Sequence, residues 1–156
     1  MSTIGALVTR DIVRASPDDS VQSAIEMMSE RNVGAVLIMS DGSLDSIFTE
    51  RDVTRRVVMA GLDPRTTLLR EVATTAPTTI VETASVRECA YLIRDKSFRH
   101  VPVLSDKGEL VGMISTRDFL SELASGFEKV IQRVCATSDA KECEDYYQYV
   151  VGNFVD

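Results

Sequence analysis

The chain predicts an α+β fold: two β-α-β-β-α repeats followed by a short helical C-terminal extension. Three observations carry this. The stripes Val21, Ala24, Ile25, Met28 and Val86, Cys89, Ala90, Ile93 share the i, i+3, i+4, i+7 spacing of an amphipathic helix, the second displaced from the first by 65 residues. A short valine-bearing apolar run and a turn follow each stripe, VGAVLIMSDG at 33–42 and FRHVPVLSDKG at 98–108. The next strand then closes on the same Thr/Ser-x-Arg-Asp motif, within FTERD at 48–52 and as STRD at 115–118.

Each element has a local reason. IVRAS (12–16) and TTIVE (78–82) read as the extended segments that open the repeats. Ser20 and Ser85 sit where N-caps belong, and SPDD (16–19) is a further capping match with Pro17 suited to a first helical position. LDSIFT and ELVGMIS are the second strands, and VTRRVVMA (53–60) and FLSELA (119–124) the closing helices. Between the halves, GLDPRTTLLREVATTAP (61–77) is punctuated by Pro64 and Pro77, and its helical turn LLREV has a counterpart in IGALVTRD (4–11). The expected divisions are a first repeat at 1–61, a second at 62–125 and an extension at 126–156. Two halves of about 60 residues are marginal alone and should share an interface. In the extension, Phe127, Val130, Ile131 and Val134 form another helical stripe, and Tyr146, Tyr147, Tyr149 and Phe154 need a surface to cover them.

Composition narrows the function classes. Hydrophobic content of 44% with 26% charged residues is ordinary for a globular chain. No run is long and apolar enough for a membrane span, and the N-terminus is a poor secretory signal. The net charge of −7 disfavours nucleic acid as a partner, since phosphate backbones need a clustered basic face. Cys89, Cys135 and Cys143 are odd in number and lack CxxC spacing, which fits a cytoplasmic location and argues against a disulfide framework or a zinc site. With His100 as the only histidine, no nucleophile–base pair, Walker loop or metal cluster emerges, so the expectation is no catalytic residue and no metal.

A single Ser/Thr-x-x-Asp before an apolar run is ordinarily a capping box. Recurrence at the same strand-to-helix junction, with Arg51 and Arg117 shared, adds a second reading. The first helical amides and a hydroxyl suit phosphate, while Asp52 or Asp118 suits ribose hydroxyls. The two readings are compatible, because the cap is the ligand-free state of the same groups. Arg51 and Arg117 either neutralise charge or are simply solvated. His100 is either a packed, hydrogen-bonded strand residue or a ligand contact beside Arg99.

The SIFTERD and GMISTRD junctions, the helices after SPDDSV and ETASV, and FRHVPVL together resemble a stand-alone pair of CBS domains, the cystathionine β-synthase type repeat, over residues 4–124. The resemblance implies two halves packed by their sheets with pseudo-two-fold symmetry and two clefts. It also implies an adenosyl ligand such as AMP, ADP, ATP, NAD or S-adenosylmethionine, and a homodimer. Carried over, the second cleft uses Ser115 for phosphate, Asp118 for ribose and Arg117 for charge, with Thr79, Ile80 and the strand residues Phe98, Arg99, His100, Val101 and Pro102 around the base. The first cleft uses Thr49, Arg51 and Asp52 with Ala15, Ser16, Val33, Gly34, Ala35 and Leu37. Ser46 stands where the second half has Gly112, and Leu37 where it has Pro102. Glycine there permits close backbone approach, so the second cleft is the one expected to hold a ligand first, with two ligands also allowed.

The function implied is a non-enzymatic sensor, whose ligand biases the arrangement of the halves and alters engagement of a protein effector in trans. A constitutive dimerisation scaffold with empty clefts, and a phosphate-transferring enzyme, are the alternatives.

Overall fold

The computed structural model describes residues 3–96 and 98–137. It divides into two compact units, Met1–Thr116 and a second that begins at Arg117. In the first unit the opening segment forms a 3-10 turn, Ile4–Leu7. Then come β1 (Arg14–Ala15), α1 (Val21–Arg31), β2 (Ala35–Ser40), β3 (Ser43–Thr49) and α2 (Glu50–Asp52), the last continuing as a π-helical turn, Val53–Val58. The second half adds α3 (Leu69–Val72), β4 (Thr74–Thr75), β5 (Ile80–Val81), α4 (Val86–Lys96), β6 (His100–Leu104) and β7 (Leu110–Ser115). The α+β repeat architecture expected from the sequence is present.

Capping chemistry begins the long helices. The Ser20 hydroxyl accepts from the Ser23 amide at 3.1 Å. Asn32, at φ 51°, ends α1 in the left-handed conformation that asparagine tolerates. At α4, Ser85 and Glu88 form a reciprocal box. The Ser85 amide and hydroxyl both donate to Glu88 at 2.7 Å, which holds the Glu88 carboxyl below its usual range. SPDD, by contrast, is no helix start. Its Asp19 carboxylate accepts from the Ser16 amide at 2.7 Å within a turn, and the helix begins after Ser20. Pro17 therefore lies in a turn and not at a first helical position.

The sheets run β1-β2-β3-β4 and β5-β6-β7. Each half pairs a short parallel strand with an antiparallel hairpin, and each has a register irregularity at the matching place, Ile38/Met39 and Val103/Leu104. The halves exchange their leading segments. β4, from the connecting segment, pairs with β3 of the first half. Reciprocally, Thr9 exchanges backbone hydrogen bonds with Met113 of β7, at 2.9 and 3.0 Å. The bridges Thr3↔Ser85 and Ser20↔Leu68 repeat this symmetry, and Ile4 and Leu69 are both fully buried.

This exchange explains Gly112. A Cβ there would lie 2.4 Å from the Val8 side chain and 2.5 Å from the Thr9 carbonyl oxygen. The close approach that glycine permits is made by the chain's own opening segment. The equivalent Ser46 is 1% exposed and its hydroxyl has no partner.

One core cluster fills the first half around Val36, Ile38, Phe48, Val57 and Leu69. Another joins the two sheets: Ala35, Leu37, Ile47 and Met113 pack with Ile12, Leu44 and Leu110. This is the shared interface that two marginal halves require. Cys89 is buried, which pushes its thiol up from the ordinary range.

The second unit begins one residue into α5, Thr116–Thr137, one continuous helix in which Leu120, Phe127 and Val130 are exposed. The closing helix expected at 119–124 and the stripe beginning at Phe127 are thus parts of a single element. No helix among the described residues is long and apolar enough to cross a membrane. Cys143, Tyr146, Tyr147, Tyr149 and Phe154 lie outside the described residues.

Candidate functional site

The first junction folds as a complete capping box. The Asp52 Oδ2 accepts from the Thr49 amide at 2.9 Å and from the Thr49 hydroxyl at 2.7 Å. The Asp52 amide in turn points to the Thr49 hydroxyl at 3.4 Å. Asp52 Oδ1 pairs with Arg56 Nε at 3.3 Å, one helical turn on, and the Asp52 side chain is only 13% exposed. The Glu50 amide is also taken, donating to the Gly34 carbonyl at 3.2 Å. Two of the three amides at this helix start are therefore already bonded, fewer free donors than the sequence alone suggests.

A cavity of about 420 Å³ opens beside this junction. Gly34, Thr49, Arg51 and Asp52 line it from the first half, and Phe98, Arg99 and His100 from the second. Residues assigned by sequence to separate clefts thus share one space. A Cβ on Gly34 would meet the His100 ring at 3.1 Å and the Glu50 carboxylate at 3.2 Å, so glycine leaves room for both side chains just before β2.

Sequence reasoning missed Glu50, Arg55, Arg56 and the connecting residues Thr74, Ala76, Pro77 and Thr78, all of which line the cavity. Arg55 and Arg56 could have been found one turn after Arg51 and Asp52. The connecting residues could not, because their placement follows from the exchange of segments. Ala76 adopts φ 45° with its amide bonded to the Asp45 carbonyl at 3.2 Å, a conformation that costs a non-glycine residue stability.

Other assigned residues sit elsewhere. Ala15 belongs to the core of the first half with Val33 packed against it, and Ala35 and Leu37 belong to the core between the sheets. Val101 and Pro102 are fully buried. Thr79 precedes β5, which contains Ile80, and neither lines the cavity. Ser16 has its amide engaged by Asp19. Ser115 ends β7, and Arg117 and Asp118 lie in the first turn of α5, 3.8 Å apart.

Charge gives the cavity its character. Four arginines, Arg51, Arg55, Arg56 and Arg99, face it against two acids, Glu50 and Asp52, in a chain of net charge −7. Arg56 is held by Asp52 and by two carbonyls. Arg51, Arg55 and Arg99 are exposed and have no ion-pair partner among the described residues. Among the described residues no group of three His, Cys, Asp or Glu side chains is placed to hold a metal.

The CBS domain family model matches residues 4–59 and again 69–125. The chain belongs to the CBS domain family. Among curated relatives, the mitochondrial CBS domain-containing protein CBSX3 of Arabidopsis thaliana is 32% identical, over 76% of this chain and 60% of its own length. A protein of Methanopyrus kandleri, MK0525, is 29% identical over 76% of this chain and 61% of its own. The chain therefore spans about three-fifths of the length of these relatives. A CBS-domain structure from Burkholderia ambifaria superposes with a TM-score of 0.75 at 30% identity, covering 80% of this chain and 95% of that one. The CBS pair CBSX2 in complex with AMP shares the fold at a TM-score of 0.69 and 18% identity, covering 80% and 98%.

Proposed function

We propose that this CBS pair is a non-catalytic regulatory module that binds an adenine nucleotide, AMP, ADP or ATP, in the cavity beside the first junction. The observation that supports this most is the set of three arginines, without ion-pair partners among the described residues, converging on one cavity of an acidic protein. The volume falls within the roughly 300–1,000 Å³ usual for small-molecule sites. Phosphate oxygens would meet Arg51, Arg55 and Arg99, and ribose hydroxyls would meet the Asp52 carboxylate. The ligand named for CBSX2, AMP, has this chemistry. NAD presents the same groups at larger size, and S-adenosylmethionine, with its positive sulfonium, is the poorest electrostatic match.

Binding would bias the arrangement of the halves and so alter a homodimer or an effector protein acting in trans. Exposed Val58 (66%), Met59 (78%) and Leu62, at and just beyond the end of the π-helical turn, offer apolar surface for such a partner. In sequence, Arg117 and Asp118 repeat Arg51 and Asp52 at the second junction.

Thermal unfolding against AMP, ADP, ATP, NAD and S-adenosylmethionine tests the reading. A ligand at one hundred times its dissociation constant should stabilise the fold by about 2.7 kcal/mol. The shift should be largest for an adenosine phosphate and should fall in Arg51→Ala and Arg99→Ala. Asp52→Ala and Asp118→Ala, measured separately, report which junction contributes. No shift with any of the five would favour a ligand-free dimerisation scaffold, and nucleotide turnover lost in Asp118→Ala would favour an enzyme.

A further inference from the structure

Arg56 joins the first junction to the segment that connects the two repeats. Its Nε reaches Asp52 Oδ1 at 3.3 Å, while its Nη1 donates to the carbonyls of Val72 and Ala73, both at 2.9 Å. Those carbonyls lie at the C-terminal end of α3, where helix carbonyls lack internal partners. Immediately after them the chain forms β4 against β3, turns at left-handed Ala76 and lines the cavity through Thr78.

We propose that Arg56 is a positioning residue that transmits the state of the Asp52 carboxylate to the connecting segment Val72–Thr78. The inference rests on the reading of Asp52 as a ligand-binding acid for its trigger, but the tether itself exists without ligand. Asp52 Oδ2 already accepts twice from Thr49, so a hydroxyl donor arriving in the cavity must use Oδ1, the atom that Arg56 holds. Oδ1 keeps one lone pair beside the Arg56 contact, so a donor there shares the oxygen with Arg56 Nε and weakens that contact. Loosening that contact frees the guanidinium to lose its planar grip on the two carbonyls. The segment so released is the one that docks the second half on the first sheet, and Ala76 stores backbone strain within it. Occupancy of one cavity thereby acts on the junction between repeats through three named contacts.

Amide hydrogen exchange on the full chain, with AMP as the probe, provides the test. Without ligand, Asp52→Asn and Arg56→Ala should each speed exchange at Thr74 and Ala76 by about ten-fold, the effect of losing one or two net hydrogen bonds in a local opening. Exchange in α4 and β6 should stay unchanged. Arg56→Lys keeps a cation beside Asp52 without the two-carbonyl fork and should also loosen the segment, which covers the case in which Arg56→Ala fails to fold. With AMP, the wild-type chain should change its exchange at the same amides, whereas Arg56→Lys should bind AMP without that change. The proposal is overturned if Asp52→Asn leaves Thr74 and Ala76 protected while Arg56→Ala does not, since Arg56 is then only a helix cap. It is equally overturned if exchange rises uniformly across the chain. Failure of the wild type to bind AMP would count against the nucleotide reading and leave the ligand-free arms to decide the tether.

Discussion

Gly112→Ala should detach the opening segment from the second half. The added methyl would sit 2.4 Å from the Val8 Cγ1 and 2.5 Å from the Thr9 carbonyl oxygen, inside any tolerable contact. A backbone oxygen cannot rotate away as a side chain can, so the Val8–Thr9 strand itself must move. Overpacking of this kind costs about 1–3 kcal/mol. Loss of the two Thr9–Met113 backbone bonds adds about 0.5–1.5 kcal/mol each. The expected destabilisation is therefore about 2–6 kcal/mol, against a total of about 5–15 kcal/mol for a typical domain. Urea unfolding measures the total, and exchange at the Thr9 and Met113 amides shows whether the loss is local. Truncation supplies the sharper control. In a chain lacking residues 1–9, Gly112→Ala should be neutral or slightly stabilising, because alanine then lowers the entropy of the unfolded chain with nothing to strike. A cost below about 1 kcal/mol in the full chain, or an equal cost in both chains, would refute the assignment of Gly112 to the segment exchange.

Ser46→Ala removes a buried hydroxyl that has no partner, so it should stabilise by about 1 kcal/mol, read as a rise in thermal midpoint; a fall would mean that the hydroxyl is bonded. The lowered carboxyl of Glu88 is a pH prediction. Stability from the Ser85–Glu88 box is fully present above the ordinary carboxyl value of 4.5 and is lost as pH falls through the lower folded value. Glu88→Gln should flatten that acid limb in pH-dependent unfolding, and an unchanged limb would dismiss the box as its source.

The helices and hairpins were legible because their signals are local. Ser20 and Ser85 cap as their sequence positions suggest, and both motif copies stand at strand-to-helix junctions. SPDD misled for the same reason: a local capping match cannot tell a turn from a helix start when Ser20 offers a competing cap four residues on. Arg55 and Arg56 were within reach of helical spacing. Thr74–Thr78 were not.

By itself, the sequence determined the repeat, its element order and the chemistry at each Thr/Ser-x-Arg-Asp junction, since periodicity and capping act over a few residues. Tertiary structure alone decided which strand each leading segment joins. It thereby decided that Val8 and Thr9 occupy the space above Gly112, that Arg56 grips Val72 and Ala73, and that Arg99 and His100 face Thr49 and Asp52. The physical reason is that backbone donors and acceptors carry no address. A segment's hydrogen-bonding partner in another repeat is chosen by global packing, here the sheet-to-sheet core around Leu37, Ile47 and Met113.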